Sequence, residues 1–146
     1  MSSVPEIDAA APSFDAELRF LKSPSSHPGL TQPLEWQETH MSWVFLVDGQ
    51  VLKLKKPVRY PFLDFSTRAA REFYCREELR LNSRLAPDVY LGLVALQCTR
   101  AGLALVPEDR LPTSGRTVDW LVRMRRLPRA LMLQQRIVER CVEARD

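Results

Sequence analysis

The chain has 146 residues, of which 45% are hydrophobic and 27% are charged. This length and composition predict one globular domain with a single core and exclude an intrinsically disordered protein. The net charge of +3 is too small to indicate a nucleic-acid-binding protein by itself. No apolar run reaches the roughly 18 residues of a membrane-spanning helix, and the N-terminus resembles neither a secretory signal nor a transit peptide. We therefore expect a cytoplasmic protein without a membrane partner.

The three cysteines, Cys75, Cys98 and Cys141, are scattered along the chain. Their number is odd and no Cys-x-x-Cys motif occurs, so the sequence indicates neither a disulfide framework nor a metal site. We expect buried or inert thiols.

Residues 1–34 form the first predicted region. Phe14, Leu18 and Leu21 have the spacing of a short amphipathic helix. The stretch 23–29 contains two prolines and a glycine, which end that helix. We predict a flexible lead that contains one short helix.

Residues 43–47 and 50–55 are the clearest pair of strands. They read WVFLV and QVLKLK, and Asp48-Gly49 joins them. Two strand-like segments joined by Asp-Gly predict a β-hairpin. The second strand alternates between two leucines on one face and three residues on the other face, namely Val51, Lys53 and Lys55.

Residues 67–85 are predicted to form the longest helix, with Ser66 as its N-cap and Ala86-Pro87 as its end. Glu77 lies within the apolar stripe of this helix and Glu78 lies at its edge. Arginines, including Arg71, occupy most of the remaining positions. We expect the apolar stripe to face the sheet, and its members are Ala70, Phe73, Tyr74, Leu81 and Leu85.

Three further strands are predicted at 89–97, 102–106 and 117–124, and residues 130–144 have helical composition. Hairpin-joined strands around one embedded helix indicate an α+β fold. We predict an antiparallel sheet of about five strands that packs against the long helix, with short flanking helices.

A lysine on a strand and a glutamate on the next helix can together hold the phosphates of ATP. The carboxylate orders the lysine before the nucleotide arrives, which offsets a loss of about 2 kcal/mol of rotamer entropy. Lys53 or Lys55 is the candidate lysine, and Glu77 or Glu78 is the candidate glutamate. The alternative interpretation of this common pattern is a solvated strand face.

Longer motifs along residues 38–128 carry a family resemblance. In chain order they are ETHMSWVFL (38–46), KLKKPV (53–58), FLDFST (62–67), FYCREELRLN (73–82), LAPDVYLG (85–92) and VDWLVRMRRLP (118–128). Together they resemble the beginning of a bacterial family of aminoglycoside-phosphotransferase-like proteins in the protein-kinase-like superfamily. The resemblance implies a kinase-like N-terminal lobe over residues 35–128 and a helical tail, 129–146, that leads towards a C-terminal lobe. Many members continue into a P-loop kinase-like ATP-binding domain.

The resemblance also implies residue roles. Val51 would contact the adenine ring, and Lys53 would contact the phosphates, with Lys55 as the second choice. Glu78 is preferred over Glu77 as the partner of the lysine, although periodicity favours Glu77. Backbone groups of Met124 and the residues up to Leu127 would bind the adenine edge. ATP with Mg²⁺ is the cofactor expected for the complete enzyme. We expect none bound here, and at best weak nucleotide binding by this chain alone.

Two departures from the family pattern concern catalysis. The Asp48-Gly49 turn takes the place of a Gly-rich phosphate loop. The family's His-Gly-Asp-type catalytic loop has no match, because His27 and His40 both precede the lysine strand. We therefore assign no catalytic residue to this chain and expect it to be inactive without a C-terminal lobe or second chain that supplies this loop.

Two alternatives to a nucleotide-binding lobe remain. One is a non-catalytic remnant or interaction module that has the same fold. The other is a nucleic-acid-binding surface at the basic run 123–129. The latter is disfavoured because Arg123 and Arg125 alternate with apolar residues as in a strand, and no aromatic stacking platform accompanies them. For His40 we expect a structural hydrogen-bonding role.

Overall fold

A computed structural model describes residues 12–127 of the chain. The start of the predicted lead, Cys141 and the predicted tail over 129–146 lie outside this range. The elements in chain order are helix α1 (Phe14–Leu21), strands β1 (Glu35–Glu38), β2 (Ser42–Val47), β3 (Gln50–Lys55), β4 (Arg59–Tyr60) and β5 (Leu63–Asp64), helix α2 (Arg68–Leu85), and strands β6 (Tyr90–Thr99), β7 (Gly102–Pro107) and β8 (Arg116–Arg125). Short 3-10 turns lie at Pro24–Ser26 and Glu108–Arg110.

Six of the strands form one antiparallel sheet in the order β1-β2-β3-β8-β6-β7. Strands β4 and β5 pair with each other in a separate small ribbon. Helix α2 packs on β6 and β8. The predicted α+β fold with an antiparallel sheet and one long packed helix is confirmed. Strand β1 was not predicted, because all four of its residues are exposed and show no apolar alternation.

The predicted hairpin is formed by β2 and β3, which pair from Ser42–Lys55 to Val47–Gln50. At the turn, Asp48 has a φ of 53°, in the left-handed region. Its carboxylate accepts hydrogen bonds from the backbone N–H groups of Thr31 at 3.0 Å and Gln32 at 2.8 Å. These bonds attach the chain that precedes β1 to the hairpin, and they lower the pKa of Asp48.

One face of the sheet is covered by helix α1. Leu18 and Leu21 of this helix join a buried cluster with Phe45, Leu54 and Leu121 from the strands. Ser13 caps the helix by accepting a hydrogen bond from the N–H of Ala16 at 3.1 Å. The predicted short helix is therefore present, and its leucines contribute to the core.

The opposite face of the sheet is covered by helix α2. Cys75 of this helix packs in a buried cluster with Val51, Leu93, Trp120 and other residues of the central strands. Thr67 caps the helix by accepting a hydrogen bond from the N–H of Ala70 at 3.1 Å. The prediction of Ser66 as the cap was wrong by one residue, since the Ser66 N–H itself donates to Asp64.

The predicted apolar stripe of α2 was also wrong at three of its five residues, although Ala70 and Tyr74 are partly buried. The side chains of Phe73, Leu81 and Leu85 are 56%, 47% and 69% exposed. The helix instead turns Arg71 and Cys75 towards the sheet. The hydrophobic pattern did not predict this orientation because it assigns charged residues to solvent. Arg71 is buried because it pairs with Asp119 of strand β8. Among residues 12–127, no helix is long and apolar enough to cross a membrane.

Candidate functional site

The predicted lysine–glutamate pair is present on the α2 side of the sheet. Alternation along β3 directs Lys53 and Lys55 to this side, and Glu78 approaches them from the helix. Lys53 Nζ lies 3.2 Å from Glu78 Oε2, and Lys55 Nζ lies 2.7 Å from Glu78 Oε1. The three side chains are 9–11% exposed. One carboxylate therefore holds two ammonium groups in a nearly buried cluster.

The electrostatics of the cluster keep Glu78 ionised. Burial alone raises the pKa of a carboxyl group. At Glu78 this effect is outweighed by the charges of Lys53 and Lys55 and by their hydrogen bonds, so the pKa is lowered to about 2. The carboxylate is thus negatively charged at neutral pH and can act as a fixed anchor for the lysines.

Lys55 is held by a second contact. Its ammonium lies 5.3 Å from the ring centroid of Phe65, in a cation–π geometry. The carbonyl of Phe65 accepts a hydrogen bond from Arg71 Nη1 at 2.9 Å. The position of Lys55 is therefore set from two directions, by helix α2 and by the segment that precedes it.

Glu77 does not join the cluster. Its carboxylate accepts two hydrogen bonds from Arg80, at 2.8 and 3.2 Å, on the outer surface of α2. Of the two candidate glutamates, Glu78 is therefore the one that pairs with lysine, as the family resemblance implies. Both candidate lysines contact it.

Val51 and Met124 lie beside the lysines. They are register partners in neighbouring strands, and both are buried on the α2 side. The segment after Met124 is tied into the fold, because the N–H of Arg125 donates to Val89 at 2.7 Å and that of Arg126 donates to Gly49 at 2.8 Å. These two backbone donors, which the resemblance places near the adenine edge, thus bind the protein's own carbonyl groups.

The turn between β1 and β2 lies at the lysine end of β3. Ser42 pairs with Lys55, and the N–H of Lys56 donates to the carbonyl of Met41 at 2.9 Å. Hydrogen bonds between Thr39 and Ser42 close the turn. Sequence reasoning missed this turn because it did not predict β1. The polar run from Glu38 to Ser42, just before the hairpin, is the signal that could have revealed it.

His40 lies in this turn and is exposed. Its ring stacks on Tyr60 with the ring centroids 5.2 Å apart. The side chain thus contacts the small β4–β5 ribbon. The hydrogen-bonding role expected for His40 stays a prediction.

Cys75 lies close to the charged cluster and is fully buried. Burial raises the pKa of its thiol to about 12. Its sulfur lies 3.9 Å from the carbonyl oxygen of Trp120. Cys75 is therefore buried, as predicted, and its raised pKa favours the protonated thiol.

The basic run at the end of β8 is partly used inside the protein. Arg125 Nε donates to the carbonyl of Asp88 at 3.0 Å, and Arg126 Nη1 lies 3.4 Å from the carbonyl of Asp48. These two guanidinium groups thus contact carbonyl groups of two loops of the same chain. Within residues 12–127, no group of three or more His, Cys, Asp or Glu side chains is arranged to hold a metal ion.

Comparison with known proteins finds three similar chains. Over 80 residues the sequence is 41% identical to an uncharacterized protein of Mycobacterium bovis and to uncharacterized proteins of two Mycobacterium tuberculosis strains. The aligned segment covers 54% of this chain and 16% of each relative, so the chain spans only a small part of the length of these relatives. No family model matches the chain. No solved structure matches it.

Proposed function

We propose that this chain is the nucleotide-binding N-terminal lobe of a cytoplasmic, kinase-like small-molecule phosphotransferase. The observation that carries the proposal is the contact of one buried carboxylate, Glu78, with the ammonium groups of Lys53 and Lys55. In kinases a strand lysine paired with a helix glutamate contacts the phosphates of ATP. Here both lysines lie on strand β3 and the glutamate lies on helix α2, and this arrangement supports the proposed role.

The family resemblance suggests one orientation of the nucleotide. Val51 and Met124 lie next to Lys53 on the same face of the sheet and are 6% and 5% exposed. The base would contact the small exposed part of these side chains, and the phosphates would lie towards Lys53 and Lys55. The turn at Thr39–Met41 lies at the lysine end of β3, where it can cover the phosphates.

The proposal assigns binding, not catalysis, to the described residues. Phosphoryl transfer requires an aspartate that accepts the substrate proton, together with ligands for Mg²⁺. Bound Mg²⁺-ATP would supply the phosphoryl group and the charge neutralisation. Residues 12–127 would supply the lysines that bind the phosphates and the glutamate that orients them, and the proposal assigns neither the aspartate nor the Mg²⁺ ligands to these residues.

Nucleotide binding can be tested on the 146-residue chain by NMR. We expect Mg²⁺-ATP to shift the amide signals of Val51, Lys53 and Glu78 at millimolar concentrations. The variant Glu78→Gln should lose most of this response. The matched control is Glu77→Gln, which removes a carboxylate from the neighbouring position and should respond like the wild type.

Two results would refute the proposal. One is that millimolar Mg²⁺-ATP does not shift the amide signals of the folded wild-type chain. The other is an equal response in Glu78→Gln and Glu77→Gln, since the buried pair would then have no part in binding.

One observation favours the interaction-module alternative. Phe73, Leu81 and Leu85 of α2 are apolar side chains that are 56%, 47% and 69% exposed. Contiguous exposed apolar surface is typical of interaction sites. Line broadening that is confined to these residues and grows with protein concentration, without any response to nucleotide, would support this alternative.

A further inference from the structure

Three charged side chains are buried together where α1, β8 and α2 meet. Glu17 of α1, Asp119 of β8 and Arg71 of α2 are 4%, 0% and 8% exposed. The proposed nucleotide site does not use these residues. Their burial requires partners, because an unpaired charge in the protein interior is costly.

Asp119 is only half satisfied by hydrogen bonds. Its Oδ1 atom accepts from the N–H of Trp120 at 2.9 Å and from Arg71 Nε at 3.1 Å. Its Oδ2 atom and Glu17 Oε1 are buried and have no donor within the described part of the chain. Two ionised carboxylates are both acceptors and cannot satisfy each other. A single proton between the two groups would give each of them a partner.

The charges lead to the same conclusion. One guanidinium group, that of Arg71, faces two carboxyl groups. If both were ionised, the cluster would contain an uncompensated negative charge in a buried place. Like charges at close range favour protonation of one carboxyl group, as in carboxylate pairs that share a proton.

We propose that Glu17 is protonated at neutral pH and donates a hydrogen bond to Asp119. This hydrogen bond holds helix α1 on the sheet, and the attachment becomes weaker as the pH rises. Burial, the hydrogen bond with Asp119 and the charge of Asp119 raise the pKa of Glu17 to about 9, while the charge of Arg71 lowers it. Among residues 12–127, Asp119 of β8 and Arg71 of α2 are the charged groups that act on Glu17 from other elements. The inference is independent of the proposed nucleotide-binding function.

The Glu17–Asp119 pair is also connected to helix α2. Arg71, which binds Asp119, donates to the carbonyl of Phe65, and the ring of Phe65 contacts the ammonium of Lys55. A continuous set of contacts thus connects Glu17 in α1 with the lysine cluster on the other face of the sheet.

The direction of the pH effect follows from the pKa of Glu17. The pKa is higher in the folded protein, at about 9, than the ordinary value of 4.5 that applies in the unfolded chain. The folded state therefore binds the proton more tightly, and the stability contribution of Glu17 decreases as the pH rises between these two values. Over this range one proton is released on unfolding, so the unfolding equilibrium constant increases about tenfold per pH unit.

The test compares the full-length chain with its Glu17→Gln variant in urea unfolding at pH 6, 7 and 8. Glutamine has nearly the same shape and donates a hydrogen bond to Asp119, but it does not ionise. We expect the unfolding constant of the wild type, relative to the variant, to increase about tenfold per pH unit. The control Asp15→Asn alters an exposed carboxylate on the same helix and should follow the wild type. Identical pH profiles of wild type and Glu17→Gln would overturn the inference.

A second measurement needs no variant. In protein labelled with ¹³C at the glutamate side chains, the carboxyl signal of Glu17 should have the chemical shift of a protonated acid at pH 7. The exposed glutamates should be ionised at the same pH. An ionised Glu17 in the folded protein at pH 7 would likewise overturn the inference.

Discussion

The ammonium of Lys55 lies 2.7 Å from the carboxylate of Glu78, and both side chains are nearly buried. Removing two charges from water costs about as much as their attraction returns, so a pair of apolar side chains would stabilise the fold at least as well. Stability alone therefore gives little reason for this pair. The pair is better explained if the lysine must be held in place to bind an anion. This explanation supports the proposed phosphate-binding role.

Removal of the Glu78 carboxylate should strongly destabilise the fold. Glu78→Gln leaves two lysines in a nearly buried place without their counter-charge, and we expect a loss of about 3 kcal/mol in the free energy of unfolding. Glu77→Gln removes only an exposed pair with Arg80 and should change the free energy by less than about 0.5 kcal/mol. Urea denaturation at pH 7 measures both values. Similar losses in the two variants would contradict the contrast between the buried pairs of Glu78 and the exposed pair of Glu77.

The same carboxylate should make the protein sensitive to acid. The pKa of Glu78 is lowered to about 2 in the folded protein, below its ordinary value of 4.5. Its contribution to stability is therefore fully present above the unfolded pKa and is lost as the pH falls towards the folded value. Unfolding free energies measured from pH 5 to pH 2 should decrease more steeply for the wild type than for Glu78→Gln. Parallel curves would show that the carboxylate is not stabilised by the lysines.

The orientation of α2 leads to a further prediction. Phe73 is 56% exposed, whereas Leu121 on β8 is fully buried in the core beneath α1. Phe73→Ser should change the free energy of unfolding by less than about 0.5 kcal/mol, since most of the ring already contacts water. Leu121→Ala should cost about 2–5 kcal/mol, because it leaves a cavity. A large loss in Phe73→Ser would show that the Phe73 side chain is covered by other residues.

The features that the sequence predicted well are local. The β2–β3 hairpin depends on the Asp48-Gly49 turn and on strict alternation in β3, and both signals lie inside the hairpin itself, which runs from Ser42 to Lys55. The length of α2 follows from its helix-forming composition and from Pro87. Even the two faces of β3 were predictable, since adjacent strand residues point to opposite sides.

The features that the sequence did not predict depend on contacts between distant segments. Arg71 is buried because it meets Asp119, which is 48 residues away along the chain. Glu17 is buried for the same reason, and no periodicity in α1 indicates an acidic partner in β8. Strand β1 is exposed along its whole length, so its place in the sheet is fixed by pairing with β2 and not by its own pattern.

The two lysines of the cluster should differ in nucleotide binding. The Lys55 ammonium is held by the closer contact with Glu78 and by the ring of Phe65. Under the proposed function, we expect Lys53 to make the main phosphate contact and Lys55 to support it. Lys53→Met should weaken Mg²⁺-ATP binding about tenfold or more, the effect of losing one hydrogen bond to a charged group, and Lys55→Met should weaken it less. Methionine retains an apolar stem of similar length and leaves Glu78 with one lysine in either variant, so the two chains form a matched pair.

Dissociation constants from NMR titration, with folding checked by the same spectra, provide the comparison. If Lys55→Met abolished binding while Lys53→Met did not, the roles of the two lysines would be reversed. If both variants bound as the wild type does, neither lysine would contact the nucleotide.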